Sequence, residues 1–66
     1  MYRVNVYFEN GNEPFLLKMD DKELDLFLGF TNDQDVTDVF DHSQDDWNIR
    51  VFKKHITFVE YKKVEV

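Results

Sequence analysis

Two histidines, His42 and His55, are the only side chains whose ordinary pKa suits proton transfer near neutrality. His42 stands beside the only serine, Ser43, but neighbours on an extended chain point apart, so the two form no catalytic pair. His42 lies in a polar run and His55 follows a lysine pair, so both read as exposed. The chain has no cysteine, no Gly-rich phosphate loop and no His-Glu-x-x-His motif. Its 66 residues leave little room for a pocket of about 300–1,000 Å³. The expectation is a non-enzymatic protein with no catalytic residue, no cofactor and no small-molecule substrate.

The densest chemical feature is the acidic run Asp33, Asp35, Asp38, Asp41, Asp45 and Asp46. Its plain reading is a solvated, charged surface. A sharper reading is mimicry of nucleic acid. Alternate side chains on a strand repeat at about 6.6 Å, close to the phosphate spacing of one strand, so a row of carboxylates could enter a basic channel. Asp33-x-Asp35-x-Thr37 also opens like a calcium loop. Asp38 stands where that loop needs glycine, however, and Gln44 where it needs glutamate. Asp41, His42, Asp45 and Asp46 could gather a divalent ion only by loose proximity, so no metal site is assigned.

The bases lie elsewhere. Residues 20–46 carry ten acids against the single base Lys22, whereas residues 47–66 carry five bases against two acids. Arg50, Lys53, Lys54, Lys62 and Lys63, with Phe52 and Tyr61 among them, resemble a surface that stacks single-stranded bases. The net charge of −6 opposes this, so direct nucleic-acid binding is not expected.

These residues need a scaffold. Tyr2, Val4, Val6 and Phe8 alternate, and Phe15, Leu17 and Met19 alternate after Asn10-Gly11, which predicts a hairpin closed by a type I′ turn. Pro14 belongs at the start of the second strand or on an edge. Asp20-x-x-Glu23 predicts a capping box, with Met19 and Leu24 as a hydrophobic staple. Leu24, Phe27 and Leu28 give one face of a helix over 21–28, ended by Gly29 in a left-handed conformation. Val36–Phe40 reads as a short strand, with a helix as the alternative, and His42–Asp46 as a solvated turn. Trp47, Ile49 and Val51 alternate on the next strand. Lys53-Lys54 turns the chain into a last strand that carries a bulge near Val59-Glu60 or is apolar on both faces. The order is β-β-α-β-β-β: an α+β fold over residues 1–66 with an antiparallel sheet and one short helix, the sheet open or curled toward a small barrel.

Tyr2, Val4, Val6, Phe8, Phe15, Leu17, Trp47, Ile49, Val51, Ile56 and Phe58 are assigned to the helix-facing side. That leaves Tyr7, Leu16, Phe52, Val59 and Tyr61 for the opposite face, where a solvated sheet should be polar. A contiguous apolar patch of this kind marks an interface. The expected function is therefore protein association, as a homodimer or with another protein, through these five side chains. The alternatives are the acidic inhibitor of a nucleic-acid-binding protein and the single-strand binder.

Size and composition agree. A chain this short buries only about 60% of its unfolded surface, and without disulfides it must draw on aromatic packing or self-association. The residues Met1-Tyr2-Arg3-Val4-Asn5 lack the apolar core of a secretory signal. With no cysteine and no long apolar run, the expected location is the cytoplasm and no membrane partner is expected. In general character the chain resembles the short, acidic, cysteine-free products of phages and mobile elements, many of which bind a host protein. That resemblance rests on no motif and assigns no residue.

Overall fold

The computed structural model describes residues 1–11, 13–32 and 38–65. Strands β1 (Tyr2–Phe8), β2 (Phe15–Met19) and β5 (Ile56–Lys63) form one antiparallel sheet in the order β2-β1-β5. Strands β3 (Val39–Gln44) and β4 (Trp47–Phe52) form a separate antiparallel hairpin, and helix α1 (Asp21–Thr31) lies between β2 and β3 in the chain. The order β-β-α-β-β-β is the expected one, and the sheets do not close into a barrel. No helix among the described residues is long and apolar enough to cross a membrane.

The alternation of β1 and β2 does what period two requires. Val4, Val6, Leu17 and Met19 are fully buried on one side, and Tyr2 and Phe8 pack partly buried beside them. The β1–β2 register runs from Tyr2 opposite Met19 to Val6 opposite Phe15, which is the register an Asn10-Gly11 turn would set. The turn itself differs from that expectation. Pairing stops at Val6 and Phe15, the Gly11 N–H bonds the Phe8 carbonyl at 3.1 Å, and Gly11 has no positive φ. The next acceptor of β1 on that side, the Phe8 carbonyl, is thus taken by the Gly11 N–H, while pairing along the other side of β1 continues, with the Glu9 N–H on the His55 carbonyl at 3.1 Å.

Helix α1 begins as its sequence dictates. The Asp20 carboxylate accepts from the Glu23 N–H at 2.8 Å, and the Glu23 carboxylate accepts from the Asp20 N–H at 3.0 Å. Its end is later than the expected Leu28. Gly29 is helical rather than a left-handed cap, and the helix runs on to Thr31, with the Asn32 N–H on the Leu28 carbonyl at 3.0 Å. The extra turn places Phe30 in the core beside Phe27 and Phe40, their ring centroids 5.9 and 5.5 Å away. Burying that ring outweighs glycine's preference for a cap.

The hairpin differs more. Residues 33–37, including Val36 and Thr37 of the strand expected at 36–40, lie outside the described residues. Val39 and Phe40 are strand, but β3 continues through His42, Ser43 and Gln44, which the sequence suggests are turn. The turn is Asp45-Asp46 alone, both with positive φ (49° and 67°), between the paired Gln44 and Trp47. A two-residue loop with φ positive at both positions is the type I′ geometry. Lys53–His55 forms a 3₁₀ turn before β5, where a turn was expected.

A register shift on the β1–β5 ladder decides the faces of β5. Phe8 opposes Ile56, yet Tyr7 opposes Phe58, so Thr57 is the inserted residue. The bulge therefore lies two residues earlier than the expected Val59-Glu60. One inserted residue exchanges every later side chain between faces. Val59 and Tyr61 thus share the core side with Val6 and Val4, whereas Phe58 is on the outer side with Tyr7.

Candidate protein-association site

Each of the five side chains expected to form a patch has a definite place. Tyr7 and Leu16 are on the outer face of the three-stranded sheet; Val59 and Tyr61 are on its inner face; Phe52 is on the outer face of the β3–β4 hairpin, opposite Val39. They do not share one surface. The apolar residue missing from the set is Phe58. It was assigned to the helix side, but it is 53% exposed and stacks on Tyr7 with ring centroids 4.1 Å apart and planes 13° from parallel. Trp47, also assigned to the helix side, is 71% exposed at the hairpin end. Phe15 is exposed too, at the end of its strand. The Thr57 bulge moves Phe58 to the outer face; the local alternation suggests a bulge in this strand, but two residues later.

β5 gathers what remains of the apolar surface. Phe58 projects outward. Tyr61, 51% exposed, projects inward and meets Tyr2 edge-on at 6.4 Å. Beside them Val59 is half-buried against the core, and a groove lined by Leu28, Lys53, Ile56 and Val59 runs between the end of α1 and β5. The outer face also holds a polar cluster. Glu60 Oε1 accepts from Asn5 Nδ2 at 3.0 Å and from the Tyr7 hydroxyl at 2.8 Å. These two bonds hold the Glu60 carboxyl below its ordinary pKa, Asn5 contributing most, and the same carboxylate raises the Tyr7 phenol.

The two edges of this sheet are treated differently. Antiparallel pairing points alternate backbone groups toward each neighbour. On β2, Leu16 and Lys18 face away from β1, and side chains of β3 meet them. The Lys18 N–H donates to Gln44 Oε1 at 2.7 Å, Gln44 Nε2 donates to the Leu16 carbonyl at 3.2 Å, and His42 Nε2 lies 2.9 Å from the Lys18 carbonyl. His42 is consequently only 5% exposed, which corrects its expected place in a solvated turn. On β5 the same alternation, fixed by the Val64 N–H on the Met1 carbonyl at 2.9 Å, turns Val59, Tyr61 and Lys63 away from β1. Among the described residues no hydrogen bond reaches these backbone groups and no strand lies on that side of β5.

The charged residues are more dispersed than their sequence suggests. Asp33 and Asp35 lie outside the described residues, so the calcium-loop spacing does too. Asp41 pairs with Arg50 at 2.8 Å, which holds its carboxyl below the ordinary value, and Asp45 pairs with Lys18 at 3.1 Å. Asp38 and Asp46 are exposed. Among the described residues no group of three or more His, Asp or Glu side chains is placed to hold a metal ion. The aromatics of the basic surface are separated, with Phe52 on β4 and Tyr61 on β5. His55 Nδ1 lies 3.0 Å from Glu9 Oε1 at the surface.

No protein-family model matches the chain, and neither a curated protein nor a solved structure is similar to it.

Proposed function

We propose that this chain is a protein-association module, non-enzymatic and cytoplasmic, that binds another copy of itself through β5. One observation carries the reading: β5, which has no neighbour on one side among the described residues, also presents half-exposed aromatics on both faces, Phe58 outward and Tyr61 inward. Natural sheets blunt or cover such edges unless they are used. Here β2 is covered by Gln44 and His42, while among the described residues β5 is not covered. The association reading is preferred to acidic mimicry of nucleic acid because Asp41 and Asp45 are each paired with a base.

Sedimentation equilibrium over a wide concentration range tests it. The expected result is a reversible dimer that Phe58→Asp shifts to monomer while the far-ultraviolet circular dichroism is kept. A strictly monomeric wild-type chain at high micromolar concentration overturns it.

A further inference from the structure

The register of that association can be read from the charges on β5. The inference rests on the self-association proposed above and goes beyond it by fixing which residues meet. On the outer face, Lys18, Arg3 and Lys62 are opposite one another across β2, β1 and β5 and form a cationic row. Like charges directly opposite on neighbouring strands destabilise a sheet. Lys18 has Asp45, but among the described residues neither Arg3 nor Lys62 has a carboxylate within ion-pair distance. The next row is Leu16, Asn5 and Glu60, so a carboxylate stands two residues from Lys62 on the same edge and face.

A two-fold axis through Tyr61 joins these rows. We propose that two copies pair β5 with β5 antiparallel, Tyr61 opposite Tyr61. Val59 then opposes Lys63, and these outward-turned residues exchange about six backbone hydrogen bonds, two for each closely bonded pair. Between them Lys62 opposes Glu60 of the other copy, twice by symmetry, in the pairs whose side chains approach most closely. Each cationic row then ends on a carboxylate, and Phe58 opposes Val64, which is also exposed.

Neighbouring registers fail on the same ground. An axis through Glu60 sets the two glutamates against each other, and an axis through Val59 sets Glu60 against Phe58. Among the described residues β4 is also an edge strand, but it carries Arg50 as its only charged residue, so no two-fold pairing there gains opposite charges. Pairing β5 with itself also closes the assembly at two copies, whereas joining unlike edges would propagate.

The test uses single-cysteine variants of the full chain, which has no thiol of its own. With the axis through Tyr61, the two Cα atoms of Tyr61→Cys are about 5.5 Å apart, inside the range a disulfide spans. Those of Val59→Cys are about 14 Å apart, outside it. Mild oxidation is expected to yield a covalent dimer of Tyr61→Cys at least tenfold faster than of Val59→Cys. Charge provides the second arm. Lys62→Glu alone and Glu60→Lys alone should each weaken the dimer about tenfold, and an equimolar mixture should restore it, because every carboxylate then opposes an ammonium. A dimer in which Val59→Cys closes faster, or in which the mixture associates no better than its components, overturns the register and leaves self-association standing. A monomeric wild-type chain removes both.

Discussion

Gln44 occupies the edge of β2 as a neighbouring strand would, its carboxamide taking the Lys18 N–H at 2.7 Å and giving its own N–H to the Leu16 carbonyl at 3.2 Å. A primary amide has the donor and acceptor of a peptide group, so one side chain joins the hairpin to the sheet where no backbone ladder does. Gln44→Ala removes both bonds at a site open to water. The expected loss is about 1 kcal/mol in urea-induced unfolding. The variant also frees the edge of β2, which can pair with β5 of another copy without closing. Light scattering should therefore show species larger than a dimer that grow with concentration. A variant of unchanged size distribution would mean that β2 is protected by something other than Gln44.

The Tyr7 hydroxyl on Glu60 makes stability depend on pH at both ends of the range. Glu60 titrates below its ordinary value in the folded chain. Its contribution is therefore full above about pH 4.5, the unfolded value, and is lost as pH falls through the lowered folded pKa. Tyr7 is raised above its ordinary 10.0. Its contribution is full below about pH 10 and is lost as pH rises through the raised value. Tyr7→Phe should move the Glu60 carbon-13 carboxyl titration upward, though not fully, because Asn5 Nδ2 still donates at 3.0 Å. It should also flatten the alkaline limb of the unfolding curve.

Much of this architecture is legible in the residues because local chemistry determines it. Asp20 and Glu23 write the start of the helix, and the alternation of Val4, Val6, Leu17 and Met19 writes two strands and their buried face. What is illegible depends on tertiary choices. Gly29 reads as a cap until Phe30 is seen to need one more turn to reach Phe27 and Phe40. His42 reads as solvated until the unpaired edge of β2 requires a partner. Alternation places Tyr7 and Leu16 on the outer face, but the bulge at Thr57 inverts Phe58, Val59 and Tyr61 together. The broken alternation at Phe58-Val59 suggests a bulge but not which residue is inserted, and that choice determines which aromatics face outward.

The core should respond very differently at two adjacent positions of α1. Phe27 is fully buried, its ring 5.0 Å from Phe40 in an edge-to-face contact, whereas Leu26 is 60% exposed. Leu26→Ala should stay within about 0.5 kcal/mol of the wild type. Phe27→Ala should cost about 3–5 kcal/mol, as much as a core of this size supplies in total, and leave the chain unfolded at room temperature. Phe27→Leu keeps most of the volume and should remain folded with a loss below about 1.5 kcal/mol. Thermal melts of the three variants check the ordering. Equal losses at positions 26 and 27 would place the helix in a different rotation about its axis.

The two turns reverse the roles that composition suggests for glycine. Asp46 has a φ of 67°, where a side chain crowds the backbone, while Gly11 has an ordinary negative-φ conformation. A Cβ added at Gly11 would lie 3.5 Å from the Glu13 carbonyl oxygen and 3.7 Å from that of Phe8, both ordinary contacts. Gly11→Ala should therefore stabilise the protein by about 0.4–1 kcal/mol, by narrowing the unfolded ensemble without straining the folded one. Asp46→Gly should stabilise by a similar amount, about 0.5–1 kcal/mol, because relief of the left-handed strain exceeds the entropy that glycine adds. Asp46 lies beyond the Lys18–Asp45 ion pair, so that contact survives. Urea unfolding midpoints should rise for both variants, with the slope against denaturant unchanged. A fall in the Gly11→Ala midpoint would show that the first hairpin tip needs the positive φ its Asn-Gly sequence advertises.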